Sequence, residues 1–295
     1  MNRVVKTAVL LCAVLSTSIA LAAEPLTWAG CGITKKSFMA ELAAAYQAKY
    51  GTEIILEGGG AAKGIRRVGD KSVDIGGSCR PKLPGHPEEL ATQLNPVAWD
   101  ALVVIVHPDN PVNNITINQL RRMYEGKITN WKELGGKDQP LELQVRKGKL
   151  SGVGRTLREL AFGDFDKDFV ATAIHKSSGP LEKAVESNPN AVGVTGVSSA
   201  RKRKVKLLTL EGKEANYDNI RSGEYLFYRP LYIAHNPSNP RYDEVKRFID
   251  FAHSREGREI IRKQGAVPYL DALHLIRKQR EQWQHSLEMM KVSDK

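Results

Sequence analysis

Cysteine and long apolar runs are both scarce in this 295-residue chain, which has three cysteines. Its seven histidines, His86, His107, His175, His235, His253, His274 and His285, are dispersed, with no close pair at metal-ligand spacing. No metal site is therefore expected. There is no G-x-G-x-x-G to cradle a dinucleotide, so no such cofactor is implied. There is no G-x-S-x-G elbow either, and no pattern ties a histidine or aspartate to a serine. That argues against an activated nucleophile, and with it against an enzyme. Internal repeats and low-complexity tracts are missing. Lysines and arginines number 44 against 33 acids, yet they are scattered rather than gathered into one block, so neither a nucleic acid nor a membrane surface is the expected partner.

The one apolar run lies at the start. Arg3 and Lys6 precede it, it extends from Ala8 to about Val14, and Ala20, Leu21, Ala22 and Ala23 close the segment with mostly small residues. Ser16, Thr17 and Ser18 interrupt it short of the roughly 20 apolar residues that a membrane span needs. Residues 1–23 read as a cleavable signal peptide. Export to the periplasm, as a soluble protein, is the expectation. Loss of Arg3 and Lys6 lowers the formal charge from +11 to +9, a balance that suits an anionic ligand. Loss of Cys12 leaves Cys31 and Cys79 in an oxidising compartment, where a disulfide is the default.

Along the rest, PLTWAG, TEIILEG and VDIGGS read as strands. Between them lie KKSFMAELAAAYQAKYG, with Phe38, Leu42, Ala45 and Tyr46 at helical spacing, and GGGAAKGIRRVGDKS, a glycine-rich loop running into a short helix. Alternating strands and helices imply an α/β protein with a largely parallel sheet flanked by helices. AWDALVVIVHPDNP is an apolar strand that leaves this first unit, and LFYRPLYIAHNP is a similar strand that returns. A second unit lies between them, with a helix in TINQLRRMYEG, a strand in LELQVR, a helix beginning at SGVGRTLREL and a strand in AVGVTGV. The segment from Tyr242 to about Arg262 reads as one amphipathic helix rejoining the first unit. From Asp271 the chain looks helical and polar, with Leu273, Ile276 and Trp283 available for docking. The expected division is residues 24–104 plus 230–295 for one lobe and 105–229 for the other.

Open α/β sheets bind ligands beyond the carboxyl ends of their strands, where helix N-termini expose unpaired N–H groups. Four segments occupy that position: GCGITKK, EGGGAAKGI, GGSCRP and RKGKLSGVGR. Each has small residues that let an anion approach the backbone.

These segments, together with the domain-crossing stretch AWDALVVIVHPDNPVNNITINQLRRMYEGKITNWKELGG and the later NPNAVGVTGV, resemble the phosphate-binding proteins of bacterial phosphate ABC importers and their relatives of the type II periplasmic-binding fold. The resemblance covers nearly the whole mature chain. It implies two lobes joined by two crossing strands that close on one anion, and a non-enzymatic, monomeric receptor that delivers inorganic phosphate to a permease in the inner membrane. Thr34 matches a threonine that holds the anion, Arg146 an arginine that forks onto two oxygens, and Ser151 and Gly152 the Ser-Gly at a helix start. Three positions depart from the pattern. Ala61 stands at a usual ligand serine, Val153 at a usual threonine, and Cys79 where relatives have an aspartate that accepts the proton of hydrogen phosphate. Arg80 is placed to supply charge instead.

The departures leave other readings open: a receptor or sensor-kinase partner for arsenate, sulfate, molybdate or tungstate, or a thiol pair for arsenite, and an exported phosphate-ester hydrolase. Cys31 and Cys79 fall on neighbouring rim loops, which again points to a disulfide.

Overall fold

The computed structural model describes residues 24–293; the signal segment lies outside the described residues. In chain order the first strands are Leu26–Gly30 (β1), Ile54–Gly58 (β2), Ile75–Ser78 (β3), Gln93–Val106 (β4), Asn114–Ile115 (β5) and Glu142–Arg146 (β6). Ala173–His175 (β7), Ala191–Gly196 (β8), Lys206–Leu207 (β9), Thr209–Leu210 (β10), Tyr228–His235 (β11) and Val267–Pro268 (β12) follow. Ten of them form one sheet with the path β2-β1-β3-β11-β4-β8-β6-β7, to which β9 and β12 add by pairing with β4; β5 and β10 pair separately.

The outer strands at each end of this path are parallel and the crossing strands in its middle are antiparallel to their neighbours. Register places Gly30 opposite both Gly58 and Gly77. The loops after β1, β2 and β3 therefore begin level with one another, at one edge of the sheet. Small residues are needed there: a Cβ at Gly30 would collide with the Trp28 ring and the Gly77 backbone.

Strand β4 is the longest element of the sheet. At about 3.3 Å per residue its 14 residues reach roughly 45 Å, enough to serve two cores. Its first part, Gln93 to Ala101, pairs with β11, and its last part, Leu102 to Val106, pairs with β8. Residues 97–106 are buried throughout, which explains why this stretch reads as a continuous apolar run rather than an alternating one. The fold is thus the α/β, two-lobed arrangement expected, with β4 running from one lobe into the other and the return made just before β11, where Leu102 N–H donates to Phe227 O at 2.9 Å.

One expectation about helices changes. The amphipathic stretch after Tyr242 is two helices, Tyr242–His253 and Arg255–Lys263. Ser254 divides them: its hydroxyl accepts from Gly257 N–H at 3.1 Å and donates to Phe251 O at 2.7 Å, capping one helix while closing the other. The C-terminal helix Leu275–Ser293, assigned to the first lobe by sequence, packs against the turn Arg158–Phe162 of the second. There Trp283 meets Phe165 edge-on at 5.7 Å, and Lys278 Nζ donates to Ser222 O at 2.8 Å. Among the described residues no helix is long and apolar enough to cross a membrane.

Candidate functional site

A cavity of about 250 Å³ opens where the strand ends of the two lobes face each other. Four helix starts converge on it. Gly32 and Ile33 begin the helical segment after β1, and Ala61 begins the helix Ala61–Gly69 after β2. Gly152 and Val153 begin the helix after β6, and Ser178 and Gly179 begin the helix after β7. The first N–H groups of a helix have no partner within it, and the aligned peptide dipoles make that end positive. Gly60, at φ +92, turns the chain into the second of these helices in a conformation that other residues rarely adopt.

Charge comes mainly from the second lobe. Arg146 ends β6 and lines the cavity; its Nη1 donates to His175 O at 2.9 Å, while its buried Nε has no hydrogen-bond partner. Burial pushes its pKa below the usual arginine value, but a guanidinium keeps its charge in proteins. Arg203 and Lys36 also line the cavity, and both meet Glu182, which is fully buried. Thr195 and Ser199 hydroxyls donate to the same carboxylate. Three cations against one carboxylate leave the cavity positive.

Several of these contacts join the lobes. Lys36 Nζ, from the first, donates to Glu182 Oε2 at 3.1 Å and to Ser199 Oγ at 2.8 Å. Ser198 and Ser37 hydroxyls meet at 3.2 Å. Beneath them, on the crossing strands, Arg229 Nη1 donates to Cys79 O and to Gly152 O, each at 3.1 Å, and its Nη2 lies 3.8 Å from the buried Asp100 carboxylate. One side chain therefore ties both rims to the hinge strands.

Cys31 and Cys79 form the cavity floor on the first-lobe side. The expected disulfide is not present: both cysteines are free and buried. Cys31 instead caps its helix, its sulfur accepting from Thr34 N–H at 3.4 Å. The neighbouring Cys31 thiol is the largest influence that pulls the Cys79 pKa down to about 6 against the effect of burial, with Arg229 and Arg146 helping. Burial and the same partner push the Cys31 thiol well up. The site thus favours one thiol beside one thiolate. Gly152 approaches so closely that any Cβ there would collide with the Cys79 sulfur.

Of the residues singled out by sequence, Ala61, Cys79, Arg146, Gly152 and Val153 line this cavity, with Cys31 beside them. Thr34 is buried, and its hydroxyl donates to Cys31 O at 2.8 Å, within its own helical turn. Ser151 caps its helix by accepting from Gly154 N–H at 3.1 Å and does not line the cavity. Arg80 is turned away. It forms a buried two-pronged ion pair with Glu89, at 2.9 and 2.7 Å, and donates to Leu150 O at 3.0 Å. Its charge is neutralised by a carboxylate nine residues on, so it is not available to the cavity. It lines instead a second cavity of about 360 Å³ on the far side of Cys79, among Glu159, Tyr228, Tyr232 and Trp283. Of the arginines there, Arg80 and Arg229 are matched by Glu89 and Asp100, and Glu159 in the same wall offsets the charge of Arg280, which makes the smaller cavity the better anion site.

Lys36, Ser177, Ser178, Gly179, Ser199 and Arg203 were missed by sequence reasoning. The run KSSGP, small and hydroxylated after a short strand, is the signal that could have found three of them. Among the described residues no group of three or more histidines, cysteines or acids could hold a metal ion.

Residues 28–256 match the model of the PBP superfamily domain. The chain belongs to the PBP superfamily. Within this superfamily it is 28% identical over 223 residues to the phosphate-binding protein PstS of Bacillus subtilis, covering 74% of this chain and 72% of that one. It is 27% identical to PstS of Borreliella burgdorferi, covering 72% and 79%. Among solved structures of PBP-superfamily proteins, a putative phosphate ABC transporter substrate-binding protein with bound phosphate from Clostridium perfringens matches with a TM-score of 0.76 at 28% identity, over 83% of this chain and 99% of that one. An ABC-type phosphate transport receptor from Vibrio cholerae matches with a TM-score of 0.63, also at 28% identity, over 82% and 99%.

Proposed function

We propose that this protein is an exported receptor that captures inorganic phosphate between its lobes and presents it to the permease of an ABC importer. The observation that carries the reading is the convergence of four helix N-termini and the partly buried, half-satisfied Arg146 on one cavity. A dianion taken from water needs dense hydrogen bonding and opposite charge, because an undercoordinated buried ion costs several kcal/mol. Helix starts supply the N–H groups, and Arg146, Lys36 and Arg203 supply the charge. The names of the relatives give the choice of phosphate.

In this reading the lobes comprise about residues 24–104 plus 230–295 and 105–229, the C-terminal helix Leu275–Ser293 reaching across from the first to pack on the second, and they hinge where β4 changes partner. The receptor acts in the periplasm as a monomer and performs no chemistry on its ligand. Thr34 contributes through its backbone and its support of the first helix, Ala61, Gly152 and Val153 through N–H groups, and Arg146 through its guanidinium.

Calorimetry on the mature protein against phosphate, arsenate, sulfate and molybdate tests this. Heat with phosphate at one site per chain is expected. No heat with phosphate, or tighter binding of another anion, would overturn the choice of ligand.

A further inference from the structure

The two cleft cysteines are not absorbed by an anion receptor that works through N–H groups and arginine. We propose that Cys31 and Cys79 form a dithiol site, in the same cavity, that captures trivalent arsenic oxyacids as a chelate. The sulfurs are brought together by the fold: β1 and β3 pair in parallel, and Cys31 N–H donates to Gly77 O at 3.0 Å. Both residues are buried, free and part of the wall of one cavity.

The chemistry balances without an oxidant. Arsenous acid, As(OH)3, exchanges two As–O bonds for two As–S bonds. One departing hydroxide leaves as water with the Cys31 thiol proton and the other with a proton from solvent, replacing the one that Cys79 has already lost; the remaining hydroxyl stays on an arsenic that is trivalent throughout. A pyramidal arsenic centre bonds two sulfurs at an angle near a right angle, which suits two sulfurs carried side by side by adjacent parallel strands. A soft ion of linear two-fold coordination would force them apart, and zinc needs four ligands where the described residues offer no group of three. Attack begins at the thiolate, and the arginines beside Cys79 favour that form. Arsenous acid is neutral near neutral pH, so it enters without the charge that the anion reading requires.

The test uses mature protein reduced and kept anaerobic, with sodium arsenite as the probe. Thiol titration after denaturation should find two thiols in the free protein and none in protein treated with arsenite, and the intact mass should rise by one arsenic per chain. Cys31→Ser and Cys79→Ser should each weaken arsenite binding by about a hundredfold or more, as expected when a second attachment within one molecule is lost. Two titratable thiols after treatment, or affinity unchanged in either variant, would overturn the proposal. Should a variant fold poorly, the thiol count and mass of the wild-type protein decide alone. The competition arm rests on the anion reading: phosphate heat should vanish in the arsenite-loaded protein. Arsenite capture without phosphate heat in the free protein would sink that reading and leave the dithiol standing; phosphate heat without arsenite capture would do the reverse.

Discussion

The two rims of the cavity are built from different materials. The first-lobe rim offers helix starts at Gly32 and Ala61 and two sulfurs, with Lys36 already committed across the cleft to Glu182. The second-lobe rim offers Arg146 and Arg203 along with the starts at Gly152 and Ser178. Neither rim alone surrounds an ion. In the proposed receptor this division would tie capture to closure, since charge and donors come from both lobes, and Arg229, reaching Cys79 O and Gly152 O together, joins the two rims.

The largest effect expected comes from the first-lobe arginine that is not in the site. Arg80→Met should lower stability by roughly 3–5 kcal/mol, because Glu89 is left buried with only the looser Arg66 ion pair at 3.6 Å. Anion affinity of the folded fraction should hold within a few-fold. Denaturant unfolding and calorimetry check the two halves separately; an affinity loss as large as that of the next variant would show that the first rim does supply a cation.

Arg146→Ala is the converse. It should weaken phosphate binding by about 2 kcal/mol or more, the usual cost of removing one partner of a buried charge pair. Stability should move less, because the arginine makes one hydrogen bond, to His175 O. An unchanged dissociation constant would remove the second rim's main charge from the site and dissolve the contrast.

A smaller effect belongs to Cys79. In the free protein it ionises near pH 6, so above that pH an anion entering beside it must displace charge or recruit a proton. Below it the thiol is already neutral. The ratio of phosphate affinities, wild type to Cys79→Ser, should be flat below about pH 6 and fall above it by at most about tenfold per pH unit, or about 1.4 kcal/mol. The ratio cancels the titration of phosphate itself. Isothermal titrations in steps up to about pH 8 measure it, and a flat ratio throughout would mean that the sulfur does not sense the anion.

How far these rims could be read from sequence depends on whether a residue's role is local. Strand ends at Gly30, Gly58 and Ser78 follow from short apolar runs closing on small residues, and the crossing strand from a run with no polar alternation. Arg146 was named through the family resemblance, and its place on the cavity wall follows from a local feature, the strand end that closes LELQVR. Arg80 was misread because its partner, Glu89, sits in a turn with no pattern of its own. Glu182 and Lys36 are 146 positions apart, and nothing in either segment announces the other. The two cysteines do line one cavity, but two sulfurs in one place do not say whether they bond, and here Cys31 is engaged by Thr34.

Ser151 gives the smallest effect and the finest test of the contrast. Its hydroxyl accepts from Gly154 N–H at 3.1 Å, so Ser151→Ala should cost about 1 kcal/mol of stability, the ordinary value of an N-cap. The donors at Gly152 and Val153 belong to the backbone and survive the substitution, and Arg146 is untouched. Phosphate affinity should therefore change by less than about threefold, within the few tenths of a kcal/mol by which independent sites add. Thermal unfolding and calorimetry on the same sample would read both. A full loss of affinity with stability intact would place the hydroxyl on the ligand and give the second rim a side-chain donor that its present geometry turns toward its own helix.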